Sequence, residues 1–497
     1  MNDVVIIGSG LGGLSTGVIL AREGYRVTIL EQESQIGGCL QCFTRRGVKF
    51  ETGMHFIGSA HSGQTLDRLL RFLEVSNDIT LGELDTDAYD IIRIGDDEYR
   101  FPNGHEALIQ RLTEYFPAEH DGIVQYMDCV QRVANASSLH TLNLENADSY
   151  LNTEYQLRSI NEVIDSYIHD ERLRQVLVGN LPLYAARRDR TPFSTHAFIV
   201  DFYNTSCFRI VGGSSTVGES LRSTLERYGG QVLTHSKVTQ IHSDANGVTG
   251  VSTADGRFFP AEMVISAIHP VPTLAMTDTP LLRKAFRSRM QQLPNTIGIF
   301  AVYIEFKEDT VPYMNSNYYS YPQFSPWDCE DYTAEDWPRG YLYMHFCHQL
   351  QPRWARCGVI LSYMRFSDTS RWIGTTVGQR GADYEAFKRK HAERLLDTVE
   401  HDHPGLRTSI VNYYTSTPLT YYDYTGTPEG SAYGIAHDIT LGVSCHVPQR
   451  TKLPGLNLTG QNINSHGILG VLVGSIVTCS DILGTEHVYR KIKEANP

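Results

Sequence analysis

The alternation of apolar and polar residues at the start of the chain predicts a strand, a tight turn and a helix in succession. Residues 4–7 form a β-branched run, and apolar residues recur at helical spacing through Leu14, Val18 and Ala21. The sequence Gly8-Ser9-Gly10-Leu11-Gly12-Gly13 separates the two elements. A second short strand, residues 26–30, ends at Glu31. This order and spacing are typical of the first unit of a dinucleotide-binding fold.

The glycines of this turn have separate roles in binding a nucleotide. Gly8 permits the turn, Gly10 lets the backbone approach a pyrophosphate, and Gly13 lets the helix pack closely on the strand. The phosphates then lie at the helix N-terminus, where free amides point outward. The Glu31 carboxylate is placed to accept both ribose hydroxyls and to repel a 2′-phosphate, which disfavours NADP. In the alternative interpretation the glycines only form a turn, and the motif itself does not choose between NAD and FAD.

The composition favours a cytoplasmic protein of two or three domains. A chain of 497 residues is too long for one compact core. Its formal charge of −13 would repel a phosphate backbone, so nucleic acid is not expected as a partner. The nine cysteines are scattered along the chain, which favours a reducing compartment over a disulfide framework. The apolar residues 4–20 lack the basic flank of a signal peptide. The apolar residues 467–484 are interrupted by polar residues, so they fall short of a membrane-spanning run.

Two neighbouring sequences carry a resemblance to a flavoprotein family. They are residues 36–43, which include Gly37-Gly38-Cys39, and residues 47–58, which include Phe50-Glu51-Thr52-Gly53. Both resemble the phytoene desaturases, carotenoid isomerases and retinol saturases. The resemblance implies FAD, with the second glycine pair following the ribose-binding acid and the chain then passing beside the flavin. The wider family usually has an arginine after the pair, and Cys39 at that position favours the retinol saturase branch.

The resemblance continues in the middle and at the end of the chain. Residues 209–241 resemble the family's middle FAD segment, in which the backbone at Val238 would meet the adenine, although a plain hairpin of strands also accounts for them. Residues 453–461 and 467–474 resemble its closing flavin motif. There the amides near Gly467 would aim the positive end of a helix dipole at N1 and the C2 carbonyl of reduced flavin.

The motif and the resemblance together predict one set of residues in contact with FAD. The set is Gly8, Gly10, Leu11, Gly12, Gly13, Glu31, Gln32, Gly37, Gly38, Cys39, Gly53, Met54, His55, Val238, Gly460, Gln461, Gly467, Ile468 and Leu469. We also expect an α/β fold class: a Rossmann-like FAD-binding domain of the glutathione-reductase or amine-oxidase type with an inserted α+β substrate domain. The expected FAD-binding domain is discontinuous and comprises residues 1–84, 208–271 and 425–497.

The two intervening stretches, residues 85–207 and 272–424, are expected to form the substrate-binding domain. The first is mostly helical in pattern. The second has strand-like runs at residues 296–306, 341–347 and 359–364 and one helix with Phe387 and Val399 on a common face. Its many tyrosines line a tunnel for an apolar ligand or pack in a core.

The chemistry implied by the resemblance is hydride transfer at flavin N5 to or from the carbon-carbon double bonds of an isoprenoid, retinoid or carotenoid-like lipid. Saturation, desaturation and isomerisation stay open, and NADH or NADPH is a candidate electron donor. Charge that develops on a conjugated polyene is delocalised, so no catalytic triad is required. His55, after the Gly53 turn, and His466, before the closing helix, are candidates for a proton donor or only pack.

No metal site is expected. Cys39 and Cys42 form a CxxC, but no second CxxC accompanies it, which disfavours zinc or dithiol chemistry. A second group of candidate ligands follows the alternation of a strand, which favours a structural role: His345, Cys347, His348 and Cys357.

Two other functions stay open at this point. A flavin amine oxidase shares the same scaffold and would oxidise a carbon-nitrogen bond while consuming oxygen. A non-catalytic protein would use FAD to hold the fold together or to report redox state. An apolar substrate also leaves peripheral membrane contact open, and the sequence does not predict an oligomeric state.

Overall fold

The first sheet of the protein draws its strands from both ends and the middle of the chain. The computed structural model describes residues 3–145 and 148–497. In this sheet five parallel strands lie in the spatial order Gln231–Leu233, Arg26–Leu30, Asp3–Ile7, Met263–Ser266 and Leu456–Leu458. We call it the nucleotide sheet. The predicted succession of strand, glycine turn and helix is confirmed, because helix Leu11–Arg22 follows directly.

Helix Leu11–Arg22 is enclosed between the nucleotide sheet and a second helix. All of its residues from Leu11 to Ala21 are buried. A Cβ at Gly17 would lie 3.0 Å from Ile29 Cδ1, so the missing side chain lets the helix approach the sheet. On the other side lies helix Gly467–Leu483, which we call the closing helix. A helix that is apolar on all faces is typical of such a central position.

The middle segment follows its predicted course. Helix Ser215–Arg227 packs beside helix Leu11–Arg22 and leads into the edge strand of the nucleotide sheet. An antiparallel three-stranded sheet comes next, made of Val238–Ser243, Val248–Thr253 and Phe258–Pro260. The chain then re-enters the nucleotide sheet at Met263–Ser266.

A seven-stranded sheet joins the two intervening stretches. Its order is Ile410–Ser416, Gly298–Phe306, Cys357–Met364, Tyr341–His345, Asn317–Tyr321, Asp90–Ile94 and Asp97–Phe101. The last two strands form a hairpin in a region whose pattern was mostly helical, so the sequence prediction missed this hairpin. It joins the sheet through parallel pairing of Asp90–Ile94 with Asn317–Tyr321. We call this sheet the substrate sheet.

Helices cover the substrate sheet. Those of the first stretch are His105–Tyr115, His120–Asn135, Ser138–Thr141, Ser149–Gln156, Ile160–Tyr167, Glu171–Leu177 and Phe193–Thr205. The long helix Ala382–Asp402 belongs to the second stretch, and its buried Leu395 and Val399 pack under the sheet with Phe300 and Ile360. Both faces of the sheet are therefore covered, which explains why its central strands are buried along their full length.

The remaining elements are short. The helices are Thr65–Phe72, Pro270–Ala275, Lys284–Gln292, Pro418–Thr425 and Thr485–Glu494. The strands are the hairpin Cys42–Arg45 with Val48–Glu51, and Cys207–Ile210 between Ile57–Gly58 and Leu81–Glu83. Among the described residues, no helix is both long enough and apolar enough to cross a bilayer.

Candidate active site

A cavity of about 410 Å³ lies between the nucleotide sheet and the substrate sheet. Its walls come from four parts of the chain: the N-terminal glycine turn, residues 30–55, residues 236–276 and residues 299–471. The carboxyl ends of the parallel strands open into it, which is where ligands bind in α/β folds. The cavity has a nucleotide half, on the side of the glycine turn, and a substrate half, beneath the substrate sheet.

The two ends of the chain meet at the floor of the nucleotide half. A Cβ at Gly12 would lie 2.7 Å from Gly460 Cα, so only glycine permits this approach. Thr16 Oγ1 and Thr459 Oγ1 are 3.0 Å apart, and the hydroxyl oxygens of Ser15 and Ser475 are 2.7 Å apart. Polar contacts between small side chains thus hold the first helix against the closing segment, over 440 residues away in sequence.

The glycine turn has the backbone that a bound pyrophosphate requires. Gly8 has a φ of +94°, a conformation that favours glycine. A Cβ at Gly13 would lie 2.0 Å from the Gly8 carbonyl oxygen, so this position also has room only for glycine. Gly10 differs, because a Cβ there would meet no atom within 4 Å and Gly10 lines the cavity. A side chain at Gly10 would therefore occupy the space of a ligand.

Glu31 lies at the end of the second strand with its carboxylate held in place. Oε2 accepts hydrogen bonds from the Ser9 amide at 2.9 Å and the Ser9 hydroxyl at 2.5 Å, and Oε1 accepts one from the Glu33 amide at 2.9 Å. The residue is 7% exposed and lines the cavity. A carboxylate fixed in this way is oriented to accept the hydroxyl groups of a ribose.

These features fit a dinucleotide such as FAD. Helices Leu11–Arg22 and Gly467–Leu483 both begin at the cavity, and neither has a side-chain cap at its N-terminus. Their first amides are therefore free to bind anionic groups of a ligand. The open space beside Gly10 and the fixed Glu31 carboxylate complete a cradle for a pyrophosphate and a ribose. The residues present accordingly match the requirements of the predicted cofactor.

The segment with the second glycine pair crosses the cavity next to the first. A Cβ at Gly38 would lie 3.2 Å from Gly10 Cα, which shows how closely the two glycine turns pack. Cys39 also lines the cavity, and desolvation raises the pKa of its thiol, so the thiol stays protonated at neutral pH. Cys42 instead packs against Ser214, with Sγ 3.5 Å from Oγ, and both cysteines are free thiols.

The substrate half has apolar and aromatic walls. They are formed by Ile299 and Leu361 of the substrate sheet and by Tyr421, Ala432 and Tyr433. The Tyr421 hydroxyl donates to the Thr52 carbonyl oxygen at 3.1 Å, and the Tyr433 hydroxyl donates to the Pro182 carbonyl oxygen at 2.6 Å. Burial raises the pKa of both phenols, so the rings are neutral. Tyr421 and Tyr424 are the cavity-lining members of the tyrosine-rich stretch, and Tyr433 lies beyond its end.

The structure brings most of the predicted cofactor residues to the cavity. The exceptions are Gly13 and Leu469, which are absent from its lining. Gly13 does not reach the cavity itself, but its close contact with Gly8 allows the glycine turn to form. The sequence prediction missed the residues of the substrate half and also His269, Asn462, Ser236 and Lys237. Ser236 and Lys237 directly precede Val238, so extending that prediction by two residues would have included them.

The two candidate histidines lie in different places. His55 lines the main cavity, and its Nδ1 is 3.4 Å from Glu51 Oε2. His466 is absent from that lining and instead borders a smaller cavity of about 20 Å³, where its ring packs on Tyr433 with centroids 4.6 Å apart. Burial, and then the nearby His437, lowers the pKa of His466 to about 3. The ring is therefore neutral near neutral pH, and we assign it no proton transfer.

The histidines and cysteines around residue 345 have structural partners. His345 Nδ1 accepts from the Met314 amide at 2.9 Å, and its Nε2 lies 2.6 Å from the Tyr343 hydroxyl. Burial lowers the pKa of His345 to about 3. His348 Nε2 lies 3.1 Å from Cys357 Sγ. Within residues 3–145 and 148–497 no group of three or more histidine, cysteine or acidic residues is arranged to hold a metal ion.

Comparison with known proteins places this site in a family. Residues 11–342, more than half of the chain, match the model of the flavin containing amine oxidoreductases. The chain belongs to this family. It is therefore a flavin-dependent oxidoreductase that uses FAD, and the predicted family resemblance is confirmed.

Three curated relatives span nearly the whole chain. An all-trans-retinol 13,14-reductase of Homo sapiens is 28% identical over 99% of this chain and 87% of the relative. A chloroplastic prolycopene isomerase 1 of an Oncidium hybrid cultivar is 23% identical over 98% of this chain and 85% of the relative. A lycopene-forming phytoene desaturase of Pantoea ananas is 22% identical over 97% of this chain and 99% of the relative.

Two solved structures share the fold. An oxidoreductase from Methanosarcina mazei is 14% identical, with a TM-score of 0.65 over 96% of this chain and 100% of that structure. A cyclohexylamine oxidase from Brevibacterium oxydans is 15% identical, with a TM-score of 0.60 over 100% of both chains. The predicted Rossmann-type α/β fold class is confirmed.

Proposed function

We propose that the protein is an FAD-dependent oxidoreductase that saturates, desaturates or isomerises carbon-carbon double bonds of an isoprenoid, retinoid or carotenoid-like lipid. The observation that carries the proposal is the neutral, apolar substrate half of a cavity whose other half fits FAD. The three curated relatives described above carry names that refer to retinol, prolycopene and phytoene, which supports a polyene substrate.

We propose the residues that line the nucleotide half as the FAD site. Glu31 would hold the ribose, the Gly10 turn the pyrophosphate, and the amides at the start of the closing helix the flavin ring. When bound, FAD supplies hydride transfer at N5. The apolar walls would hold a flat substrate against the ring and exclude water, which leaves little need for other catalytic groups.

The division into domains is part of the same proposal. Residues 1–84, 208–271 and 425–497 would form the FAD-binding domain, since every strand of the nucleotide sheet lies in one of these ranges. Residues 85–207 and 272–424 would form the substrate domain, since they contribute every strand of the substrate sheet. The cavity lies where the two sheets face each other.

An amine substrate is less well matched to this cavity. An ammonium group buried in an apolar site is stabilised most strongly by a carboxylate. Among the described residues that line the cavity, Glu31 is the one carboxylate, and its oxygens face Ser9 and Glu33 at the ribose end. The substrate half offers neutral tyrosines and aliphatic side chains instead.

Product analysis separates these functions. We expect the purified protein, incubated anaerobically with a reductant and a series of retinoids and carotenoids, to change the number or geometry of conjugated double bonds in at least one of them. With simple amines in air we expect no hydrogen peroxide above the rate of the protein alone. Amine-dependent peroxide release, with every polyene unchanged, would show that the amine oxidase interpretation is correct.

Saturation consumes two electrons that an alkene does not supply, so an external reductant is required, and we propose reduced nicotinamide for this role. NADH and NADPH are compared directly in the same assay. The proposal is supported if either of them bleaches the flavin absorption under nitrogen. If dithionite bleaches the flavin and neither NADH nor NADPH does, both donors are excluded.

We also infer that the cavity mouth contacts a lipid surface, from which such a substrate would enter. Tyr424 lines the cavity and is 46% exposed, which marks the mouth. Residues 366–380 pack beside it on helix Pro418–Thr425 through the Phe366 and Tyr422 rings and an Arg380–Asp423 ion pair. This rim exposes the large apolar residues Ile373, Val377, Tyr422 and Tyr424.

Vesicle binding tests the rim. We expect the double substitution Ile373→Asp with Val377→Asp to weaken co-sedimentation with phosphatidylcholine vesicles about 10-fold, because two apolar contacts are replaced by charges. Leu157→Asp is the control, since Leu157 is 58% exposed, against 45% for Ile373 and 48% for Val377, but lies in the helical part of the chain. Equal binding of the wild type and the double variant would contradict the inference.

A further inference from the structure

We propose that His55 is the proton donor of this reaction and that Glu51 and Arg209 are the residues that position it. The inference rests on the proposed function. Adding hydrogen to a carbon-carbon double bond requires a hydride at one carbon and a proton at its neighbour, so the cavity must contain a group with a proton to give. In the desaturating direction the same group takes the proton back.

Among the described residues that line the cavity, few side chains near the substrate half carry a transferable proton. Cys39, Tyr421 and Tyr433 are poor donors, since burial raises the pKa of each. His269 has both nitrogens engaged: Nδ1 accepts from the Val271 amide at 3.2 Å, and Nε2 lies 3.0 Å from Asn295 Oδ1. Two such groups are left: Tyr424, which lies at the exposed mouth of the cavity, and His55, whose side chain is buried.

The His55 ring lies between a carboxylate and an aromatic ring. Its Nδ1 faces Glu51 Oε2 at 3.4 Å, and its face stacks on Phe346 with centroids 5.6 Å apart. The Arg209 guanidinium donates to the His55 carbonyl oxygen at 3.3 Å, which fixes the backbone. In the part of the chain that the structure describes, no protein group hydrogen-bonds to Nε2. This nitrogen is therefore left for the cavity.

Residues of the proposed substrate domain hold the Arg209 side chain in place. It is 1% exposed, and it donates to the Ser316 carbonyl oxygen and to Asn317 Oδ1, both at 3.0 Å. Asn317 in turn donates to Asp90 Oδ1 at 2.8 Å. Asp90 and Asn317 belong to neighbouring strands of the substrate sheet. The position of the His55 backbone is thus set by residues of both proposed domains, and His55 lines the cavity between the two sheets.

The charges around His55 suit a proton donor. Glu51 is buried, and burial raises its pKa, although His55 and Arg209 oppose that effect. The charged groups that face the ring are Glu51, on strand Val48–Glu51, and Arg209, on strand Cys207–Ile210, with Cys347 and Tyr313 next to Arg209. A Glu51 carboxylate stabilises the imidazolium that gives up its proton.

Reduced FAD, when bound, would supply the hydride for one alkene carbon. The Nε2 proton of the His55 imidazolium would form the C–H bond at the other carbon, so the alkene would gain two electrons and two hydrogens. The flavin would be left oxidised, and His55 would be neutral until solvent restores its proton.

Rapid mixing of the reduced holoenzyme tests the proposal. The flavin is reduced with dithionite and then mixed with a polyene that the wild type converts, or with ferricyanide, which takes electrons without a proton. For His55→Gln we expect reoxidation by the polyene to slow at least about 100-fold. Reoxidation by ferricyanide and the FAD content are expected to stay within about twofold of the wild type, because a proton donor affects neither of them.

Two further variants make the result specific. For Glu51→Gln we expect slower reoxidation by the polyene and unchanged reoxidation by ferricyanide, because the imidazolium has lost its counter-charge. His61→Gln is the matched control, since His61 forms a similar pair with Glu83 on the surface, 2.8 Å apart, and its rates should equal those of the wild type.

Each outcome decides the matter. The proposal is supported if His55→Gln slows flavin reoxidation by the polyene and leaves flavin reoxidation by ferricyanide unchanged. Equal rates for His55→Gln and the wild type overturn it, and so does a parallel loss of both rates, which indicates a structural role. If the wild type itself converts no polyene, it is the proposed function that fails.

Discussion

Gly10→Val is expected to lower the affinity for FAD by at least about 100-fold while leaving the fold intact. Gly10 has φ −64° and ψ 174°, a conformation open to any residue, and a Cβ there would contact no atom within 4 Å. The side chain would instead project into the cavity where the pyrophosphate is expected. Titration of the apoprotein with FAD gives the dissociation constant, and thermal unfolding without FAD gives the Tm.

The matched control for this substitution is Gly218→Ala. Gly218 lies within helix Ser215–Arg227, away from the cavity lining, and a Cβ there would lie at an ordinary contact distance of 3.7 Å from Gly37 Cα. We expect this variant to bind FAD as the wild type does. Normal FAD binding by Gly10→Val would mean that the nucleotide lies elsewhere.

Gly13→Ala is expected to lower the Tm of the apoprotein by about 5 °C or more. Its Cβ would lie 2.0 Å from the Gly8 carbonyl oxygen and 3.2 Å from Ala267 Cβ, so backbone must move before the helix can pack. The better helix propensity of alanine offsets about 1 kcal/mol of this cost. Differential scanning calorimetry of the wild-type and variant apoproteins measures the change in Tm.

The contrast between the two glycines separates folding from binding. Gly10→Val should unfold at the temperature of the wild type without FAD, and Gly13→Ala should not. An unchanged Tm for Gly13→Ala would show that the turn between the first strand and the first helix has room that the structure does not give it.

Local signals explain why the nucleotide half could be predicted from sequence. The turn at Gly8 requires a positive φ, and the position of Gly13 has no room for a side chain. Both positions therefore require glycine, and the two glycines are recognisable in the sequence by their fixed spacing. The bounds of strands such as Arg26–Leu30 were correct because a buried parallel strand is a short apolar run with clear ends.

The substrate half depends on long-range packing that no local pattern records. The hairpin Asp90–Ile94 and Asp97–Phe101 was missed because its pairing partner, Asn317–Tyr321, lies more than 200 residues away. Tyr421 and Tyr433 line the cavity while Tyr341 and Tyr343 lie in a core, and a tyrosine-rich sequence does not distinguish these positions. His466 immediately precedes the closing helix, yet its side chain borders the smaller cavity and not the main one, and its place in the sequence does not indicate which.

The most direct test of the account is a single turnover under nitrogen. The FAD-loaded protein is reduced with dithionite, freed of excess reductant and mixed with a conjugated retinoid or carotenoid while the visible spectrum is recorded. In the saturating direction we expect the bands of oxidised flavin to return, one flavin for each polyene that loses a conjugated double bond. Reduced flavin that stays bleached with every polyene, together with oxidised flavin that leaves the number and geometry of the double bonds unchanged in every polyene, would contradict the proposed function.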